Sequence, residues 1–316
     1  MKGCVCMIYD VIIIGSGPAG MTAGIYTKRS GYSVLIFDNG TPGGQAATTH
    51  AIENYPGFTE PVSGPELMSR FFEQMMNFGV EMKGKRIDRI DVSGKIKKVF
   101  ADGEEYQCHA LILASGATPG MLGAKGEGKY RGRGVSYCAT CDGFFFKDKE
   151  VVVVGGGNSA LQEALFLGKI CKKVTLVHRR DTFRGAKVIQ DRIHLKDNIV
   201  MEMDHVVEEI IGDENKVTEV LLKNVKSGET KAIAASGVFI FVGYIPKSDY
   251  LSDENGIEKN SYGYIITDEN LMTSIPGVFA VGDVREKILR QVATAVGDGA
   301  AINPGVEHYL TEVKES

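Results

Sequence analysis

Two short runs of β-branched apolar residues lie about 140 positions apart, each followed by a glycine-rich turn and a helical pattern. The first run is Tyr9–Ile14 and the second is Glu150–Val154. After each helix the strand pattern returns, at Ser33–Phe37 and at Lys173–Val177, which completes a strand–helix–strand unit. The chain therefore predicts two copies of an α/β dinucleotide-binding unit.

The segment between the two units has short alternating strands joined by polar turns, which predicts an antiparallel insertion. Its strands are expected at Ile87–Val92, Lys97–Phe100 and Tyr106–Leu113. A similar strand pattern extends from Ile199 to Ile233. Gln291–Leu310 has a helical pattern that contains Pro304. Because proline lacks an amide hydrogen and blocks the preceding turn, we expect the helix to kink or restart there.

The length of 316 residues suggests about two domains, at roughly 150 residues each. Glycine is enriched, at 39 residues, but it follows no collagen-like period and accompanies 43% hydrophobic residues. Disordered, collagen-like and low-complexity classes are therefore excluded. The formal net charge of −4 supplies no basic field to attract phosphates, so we expect no nucleic-acid partner.

Six cysteines are too few for a disulfide-stapled scaffold of this length. No apolar stretch reaches the roughly 18–20 residues needed to span a bilayer. The apolar run Val11–Ile14 leads directly into the first glycine turn, and cleavage of a signal peptide there would destroy that turn. We therefore expect a cytoplasmic protein with no membrane contact and with reduced bulk thiols.

The first glycine turn, Gly15–Gly20, has the GxGxxG spacing between a strand and a helix. Such a turn lets the backbone approach a pyrophosphate, whose charge then meets the helix N-terminus. Asp38 follows the next strand, where an acidic side chain can accept a hydrogen bond from an adenosine ribose hydroxyl. We expect this unit to bind a nucleotide with a free ribose, the alternative being a simple tight turn.

The second glycine turn ends in alanine, and the strand after it ends in a cationic cluster instead of an acid. Charge-assisted hydrogen bonds to a 2′-phosphate contribute about 1.5–3 kcal/mol each, so this cluster predicts NADPH. The alternative is a solvated basic turn. The residues expected to contact NADPH are Gly155, Gly157, Asn158, Ser159, Ala160, His178, Arg179, Arg180 and Arg184.

Cys138 and Cys141 form a CxxC pair directly before the second unit. A zinc site would need further ligands, and no second CxxC or nearby histidine pair supplies them. A structural disulfide closing so short a loop contributes only about 2 kcal/mol and would not persist in a reducing cytosol. A redox dithiol is favoured, with Asp142 as a carboxyl that could transfer a proton to a leaving thiolate.

A hydride donor reduces a disulfide inefficiently by itself, whereas a flavin accepts two electrons from NADPH and passes them to sulfur. The first unit is therefore assigned to FAD. With these features, the chain resembles the low-molecular-weight, bacterial-type thioredoxin reductases, class II of the pyridine nucleotide-disulfide oxidoreductases, along nearly its whole length. The segments that carry the resemblance are Gly15–Gly20, Pro42–Gln45, Glu53–Phe58, Cys138–Phe145, Gly155–Ala160, His178–Arg184, Val281–Val284 and Arg290 with Gln291.

The resemblance implies a homodimeric enzyme in which NADPH reduces FAD and FAD reduces the Cys138–Cys141 disulfide. The resulting dithiol reduces thioredoxin or a similar dithiol protein by exchange. It also implies that Cys141 faces the isoalloxazine and that Asp142 is the acid/base. The spacing leaves open which thiol attacks the partner, and the resemblance favours Cys141. The residues expected around FAD are Gly15, Gly17, Pro18, Ala19, Gly20, Asp38, Gly43, Gly44, Gln45, Asn54, Ala114, Gly116, Gly282, Asp283, Arg290, Gln291 and Val292.

The expected fold class is α/β, with two Rossmann-like, three-layer ββα domains, one inserted in the other. The FAD-binding domain comprises residues 1–117 and 247–316, and the NADPH-binding domain comprises residues 118–246 and carries the CxxC pair. Since nicotinamide and disulfide belong to one domain and must both reach one flavin, we expect a domain rotation. The hinges are expected near Thr118–Gly120 and Gly243–Lys247.

Several residues depart from the family pattern. Cys4 and Cys6 form a CxC pair before the first strand, which we interpret as incidental thiols or, alternatively, a regulatory or metal-touching pair. Tyr244 and Asn303 are also unusual at their positions. A ferredoxin-dependent flavin thioredoxin reductase, a small-molecule disulfide reductase and a flavin redox sensor without turnover are the alternative functions. The basic cluster favours NADPH over ferredoxin.

Overall fold

The computed structural model describes residues 7–49 and 52–315, so the predicted CxC pair, Cys4 and Cys6, lies outside the described residues. The chain divides into two compact units. We call Met1–Thr118 together with Ile245–Ser316 the first unit, and Pro119–Tyr244 the second unit. The points where the chain passes from one unit to the other lie within the two segments predicted as hinges.

Strands and helices alternate over residues 8–77 and again over residues 139–194. The strands are β1 Ile8–Ile14, β2 Val34–Asp38, β3 Glu81–Gly84, β4 Ile87–Asp91, β5 Lys97–Ala101, β6 Glu104–Leu113, β7 Ala117–Pro119, β8 Val135–Ser136, β9 Glu150–Val154, β10 Lys173–His178, β11 Ile199–Met203, β12 His205–Gly212, β13 Val217–Asn224, β14 Thr230–Ala234, β15 Gly237–Ile240, β16 Tyr244–Pro246 and β17 Val278–Ala280. The α-helices are α1 Pro18–Arg29, α2 Gly64–Asn77, α3 Ala139–Asp142, α4 Asn158–Leu167, α5 Lys187–His194, α6 Val292–Ala301 and α7 Asn303–Glu315.

The sheet of the first unit has the strand order β3-β2-β1-β6-β5-β4, and β17 also pairs with β6. β1 lies parallel to both β2 and β6. Along β1, Val11 and Ile13 face the core beneath the helices, while Ile12 and Ile14 face the core on the other side of the sheet. Because both faces are covered, the strand is a continuous apolar run, which is why the sequence pattern revealed it.

The predicted antiparallel insertion is only partly correct, because all three strands extend the main sheet and β6 also pairs with β1 in parallel. The first residues of β6 pair antiparallel with β5, while Cys108–Leu113 lies parallel to β1 and is mostly buried. The strand thus changes partners along its ten residues. In β5, buried and partly exposed residues alternate, as in a strand with one solvated face, whereas the end of β6 is buried like a central parallel strand.

The helical pattern near the C-terminus is interrupted at the proline, as predicted. α6 ends at Ala301 and α7 begins at Asn303, so Pro304 lies in the first turn of α7, where its missing amide breaks no helical hydrogen bond. The unusual Asn303 donates to Ser30 Oγ and to Glu307 Oε1, both at 3.0 Å. It therefore ties the start of α7 to the end of α1.

The second unit has a parallel sheet of order β11-β10-β9-β15-β8 and a separate antiparallel sheet β12-β13-β14. Val151 and Val153 of β9 face a core shared with α4 and α5, and Val152 and Val154 face a core shared with the antiparallel sheet. The unit therefore has three layers, and the predicted α/β fold class is confirmed. None of the described helices is long and apolar enough to cross a membrane.

Candidate active site

Cys138 precedes the single-turn helix α3, Cys141 lies within it, and the two cysteines are joined by a disulfide. Cys138 is the N-cap residue of α3, and its carbonyl accepts a hydrogen bond from the Asp142 amide at 3.1 Å. This turn holds the two cysteine Cα atoms 5.3 Å apart, within the span that a disulfide requires. Both cysteines are partly exposed.

A serine that the sequence analysis missed connects the predicted acid to the first cysteine. Ser136 Oγ donates to Asp142 Oδ2 at 2.6 Å and accepts from the Cys138 amide at 3.1 Å. Ser136 is buried and Asp142 is half-buried. Nearby, the Tyr244 hydroxyl donates to the Tyr137 carbonyl at 2.9 Å. The unusual tyrosine thus supports the segment that leads into α3.

The first glycine turn joins β1 to α1 with little space for side chains. Gly15 has a φ of +106°, and a Cβ atom on Gly20 would collide with the Gly15 carbonyl oxygen. Around Gly17 the space is open, and α1 starts at Pro18 with neither a side-chain cap nor an acidic residue in its first turn. The first amides of α1 therefore remain available to an anion.

Asp38, at the end of β2, is hydrogen-bonded to the first glycine turn. Its Oδ2 accepts from the amide and the hydroxyl of Ser16, at 2.7 and 2.6 Å, and its Oδ1 accepts from the Gly40 amide at 3.0 Å. Asp38 therefore orders the turn, a role that the sequence analysis missed. Because each carboxylate oxygen can accept more than one hydrogen bond, Asp38 can also accept from a ribose hydroxyl. That ribose contact stays a prediction.

Three segments distant in sequence lie against the first glycine turn. The Ala114 carbonyl lies close to the first glycine of the turn. A Cβ on Gly44 would lie 3.5 Å from the Gly17 Cα, and one on Gly282 would lie 2.8 Å from the Ala19 Cβ. Residues more than two hundred positions apart in the sequence are therefore neighbours in the fold. The Gly43 amide extends this assembly by donating to the carbonyl of the serine within the turn, at 2.8 Å.

Two further predicted FAD contacts meet across 237 positions of sequence, where Asn54 Nδ2 donates to Gln291 Oε1 at 3.0 Å. Gln291 caps the N-terminus of α6, and Val292 is the first residue of that helix. The other predicted contacts lie on adjoining loops, with Gln45 in the 3-10 turn after Gly44 and Gly116 just beyond β6.

A buried ion cluster that was not predicted holds the turn at Gly282. Asp298 Oδ2 accepts from the Gly282 amide at 2.9 Å, from Lys287 Nζ at 2.8 Å and from the Arg285 guanidinium at 3.4 Å. The side chains of Lys287 and Asp298 are only 8% and 15% exposed. The cluster therefore fastens the Gly282 turn to helix α6.

Beside this cluster, two predicted FAD contacts have buried polar atoms that find no hydrogen-bond partner among the described residues. They are Asp283 Oδ1 and Arg290 Nε. The Arg290 guanidinium lies 4.0 Å from the centre of the Tyr264 ring. Burial raises the pKa of the Asp283 carboxyl, while Lys287 and Arg290 oppose that rise. Because buried polar atoms without partners are rare, these two fit a bound group that brings hydroxyls and acceptors, as FAD would.

The second glycine turn repeats the geometry of the first. Gly155 has a φ of +147°, and a Cβ on it would lie 2.6 Å from the Ala160 Cβ. Gly157 is the N-cap of α4 and faces open space, while Ser159 in the first turn of α4 is exposed. The amides at the start of α4 are therefore also available to an anion.

The loop after β10 is fastened to the second glycine turn by backbone hydrogen bonds. The Gly156 carbonyl accepts from the Arg184 amide at 2.8 Å and from the Gly185 amide at 3.1 Å. Asn158 Oδ1 accepts from the Ala186 amide at 2.7 Å. Asn158 thus positions the basic loop, which sequence spacing alone did not indicate.

His178 differs from the arginines with which it was grouped. It is 6% exposed, its ring stacks on Phe183 with centroids 5.4 Å apart, and the ring lies against Gly156. Burial lowers the pKa of His178, and the neighbouring arginine charges lower it further. The ring is therefore a neutral support for the glycine turn and not part of a cationic cluster. Its buried Nε2 has no partner among the described residues, so a cofactor contact stays a prediction.

Arg179, Arg180 and Arg184 are exposed at the edge of the second glycine turn. Asp181, which lies among them in sequence, forms an ion pair with Lys226 at 3.2 Å instead. Within the described part of the chain, no ion pair occupies the three guanidinium groups. The arrangement thus offers an amide-lined anion site with three cations beside it, in the same unit as a disulfide and its neighbouring acid.

Comparisons with known proteins agree with this geometry. Residues 9–299 match the family described as pyridine nucleotide-disulphide oxidoreductase. The chain is 46% identical to a thioredoxin reductase of Listeria innocua over 310 residues, covering 98% of this chain and 96% of the relative. It is 45% identical to the thioredoxin reductase of Bacillus subtilis over 309 residues, covering 98% and 97%. A crystal structure of thioredoxin reductase from Streptococcus pyogenes matches with a TM-score of 0.90 and 48% identity, covering 96% of this chain and 99% of that one.

Proposed function

The chain belongs to the pyridine nucleotide-disulphide oxidoreductase family and, within it, to the thioredoxin reductases, and on that basis we propose which residues perform each part of the reaction. The observation that carries the proposal is the Cys138–Cys141 disulfide beside Asp142, in the same unit as the second glycine turn. That unit therefore combines a reducible bond, an acid and a phosphate-binding turn.

FAD is assigned to the first unit. The amides of the first glycine turn would hold its pyrophosphate, and Asp38 would accept from a ribose hydroxyl. Asp283 Oδ1 and Arg290 Nε, both buried without partners among the described residues, would gain their hydrogen bonds from the cofactor. Bound FAD would supply the step that the protein lacks, taking a hydride from NADPH and passing two electrons to sulfur.

NADPH is assigned to the second unit. The amides at the start of α4 would bind its pyrophosphate, and Arg179, Arg180 and Arg184 would contact the 2′-phosphate. The support is that the three guanidinium groups are exposed and that Asp181 is engaged by Lys226. A ferredoxin-dependent enzyme would have no use for such a cluster.

Thioredoxin or a thioredoxin-like dithiol protein is assigned as the acceptor. When the Cys138–Cys141 bond is reduced, two electrons and two protons convert it into a dithiol. One thiolate then attacks the partner's disulfide, and the second thiol resolves the mixed disulfide, which restores the Cys138–Cys141 bond. Asp142 would supply the proton that the partner's leaving thiolate needs.

Because the cysteines and the NADPH residues lie in one unit and the FAD residues in the other, the proposal includes a rotation of the second unit. The hinges are assigned to residues 118–120 and 243–247. A crosslink between the two units should block turnover while leaving FAD bound. Full turnover of the crosslinked enzyme would rule out the rotation.

The decisive experiment is anaerobic mixing of the FAD-loaded enzyme with NADPH, NADH or reduced ferredoxin, followed by oxidised thioredoxin. We expect rapid bleaching of the flavin by NADPH and its reoxidation by thioredoxin. A Cys138→Ser variant should lose the second step, whereas Cys171→Ser, which changes a buried free cysteine, should keep it. Bleaching without reoxidation would refute thioredoxin as acceptor, and bleaching only by ferredoxin would refute NADPH as donor.

The family also leads us to propose a homodimer and a cytoplasmic location. Light scattering of the purified protein tests the first, and fractionation of the source cells tests the second. A monomer at working concentration, or recovery in an extracellular fraction, would overturn the respective assignment.

A further inference from the structure

Ser136 occupies a position between the predicted acid and the redox disulfide. Its side chain is almost fully buried, at 5% exposure, two residues before Cys138. The hydroxyl oxygen lies 2.6 Å from Asp142 Oδ2 and 3.2 Å from the Cys138 carbonyl oxygen. It also accepts a hydrogen bond from the Cys138 amide at 3.1 Å. It is therefore bonded to both ends of helix α3.

A hydroxyl has a single hydrogen to donate, and two acceptors compete for it here. The carboxylate of Asp142 is the closer acceptor and can carry charge, so the hydrogen is directed there. The oxygen of Ser136 remains the acceptor for the Cys138 amide. The serine thus fixes the carboxyl of Asp142 relative to the backbone of Cys138.

This constraint matters because α3 is only four residues long. A helix of one turn has little stability of its own, so its side chains are not held by the helix alone. The backbone bond from the Asp142 amide to the Cys138 carbonyl closes the turn, but a backbone bond does not by itself set the side-chain torsions of Asp142. The bond from Ser136 selects one orientation of that carboxyl.

We propose that Ser136 is a positioning residue that holds the Asp142 carboxyl in the orientation in which it exchanges protons with the dithiol and the partner. The proposal rests on the proposed role of Asp142 as the acid. The contact that carries the proposal is the hydrogen bond from Ser136 to Asp142 Oδ2.

The proton transfers balance over one exchange cycle. At the start, one cysteine is a thiolate, the other is a thiol and Asp142 is protonated. The thiolate attacks the partner's disulfide, the partner's sulfur–sulfur bond breaks, and the leaving thiolate takes the proton from Asp142. The second thiol then returns a proton to Asp142 and attacks the mixed disulfide. The partner's second sulfur leaves with that proton, so a dithiol partner, the Cys138–Cys141 disulfide and ionised Asp142 remain.

The test compares Ser136→Ala, Ser136→Thr, Asp142→Asn and the double variant Ser136→Ala/Asp142→Asn, all loaded with FAD. Thr175→Val serves as the control, because it removes a hydroxyl that is similarly buried in the same unit. Two rates are measured anaerobically across pH, namely flavin bleaching by NADPH and reoxidation by oxidised thioredoxin. Flavin content and melting temperature are recorded for each variant.

We expect Ser136→Ala to bleach at a rate within about twofold of the parent but to be reoxidised about ten- to a hundredfold more slowly, because a charge-assisted bond is lost. Its pH profile should be displaced from that of the parent. Ser136→Thr should restore most of the rate, and the double variant should be no slower than Asp142→Asn, since both changes remove one function.

Additive losses in the double variant, an unaltered pH profile, or no rescue by threonine would overturn the role of Ser136. Parent-like rates in Asp142→Asn would instead refute Asp142 as the acid, and would thereby refute the positioning role of Ser136. The proposed reduction of thioredoxin by the dithiol would not be affected by that result. If Ser136→Ala fails to fold, Asp142→Glu keeps the acid but moves it away from Ser136, and a parent-like profile there refutes the proposal equally well.

Discussion

Replacing Arg179 and Arg180 by alanine in one variant removes two of the three exposed cations beside the second glycine turn. No ion pair among the described residues involves these side chains, and Asp181 keeps its partner Lys226. The folded protein should therefore lose little stability. If the two arginines bind the 2′-phosphate as proposed, the change should affect that contact alone.

The magnitude follows from the exposure of the two side chains. Charge-assisted hydrogen bonds contribute about 1.5–3 kcal/mol each, and exposed groups lie at the lower end because water and salt screen them. Two lost contacts amount to about 3 kcal/mol, which is about a hundredfold in kcat/KM for NADPH. NADH has no 2′-phosphate, so its kcat/KM should change by about twofold or less.

The assay is the initial rate of anaerobic flavin reduction as a function of NADPH or NADH concentration, at low and at high ionic strength. The preference of the parent for NADPH should weaken with salt, whereas that of the variant should be nearly independent of salt. Arg192→Ala/Lys196→Ala is the matched control, because it removes two exposed cations from the same unit, on and just after helix α5.

An unchanged ratio of kcat/KM values for NADPH and NADH in the folded variant would refute the phosphate-binding role of these arginines. An equal loss in the Arg192→Ala/Lys196→Ala control would show that the net charge of the unit, and not a local contact, sets the preference. Loss of FAD from the variant would contradict the assignment of the two cofactors to separate units.

Two further predictions concern buried charged groups. Asp298→Asn removes the carboxylate that holds the Gly282 amide and Lys287, so the free energy of unfolding should fall by about 3 kcal/mol and the dissociation constant of FAD should rise at least tenfold. Urea unfolding and fluorescence titration of the apoprotein with FAD measure the two, and parent-like values in both would contradict the role given to the cluster. Burial raises the pKa of Glu163, whose Oε2 is buried and has no partner among the described residues, so the stability that the neutral form provides is lost as pH rises through the folded-state pKa. Glu163→Gln should therefore flatten the fall in unfolding free energy as the pH rises above the ordinary pKa range of glutamate, and an identical slope in parent and variant would refute this.

Much of the fold could be predicted because its central strands are buried on both faces. Glu150–Val154 was predicted with the bounds that the structure has, and the restart of the helix at Pro304 follows from the missing amide of proline. Strands of a few residues, such as β15 and β17, were missed. They are too short to produce a period of their own, and their positions depend on pairing with β9 and β6.

The site shows the same division between local and long-range information. The CxxC pair and both glycine turns could be read locally, since their chemistry depends on residues a few positions apart. His178 was grouped with three arginines, but the fold turns its ring beneath Gly156 and leaves the arginines exposed. Adjacent residues of a chain can thus be buried and exposed, respectively, and a sequence motif alone does not show which is which.

By itself, the sequence determined the two strand–glycine turn–helix units, the redox pair and the family, because strand periodicity, glycine turns and CxxC spacing are local properties of the chain. Only the tertiary structure decided which side chains hold these motifs in place. Three such contacts are the hydrogen bonds of Ser136 with Asp142, of Asp38 with the first glycine turn and of Asp298 with the Gly282 turn. Folding must bring the partners of each bond together. The energy of such bonds depends on distance and burial, and neither quantity exists until the chain has folded.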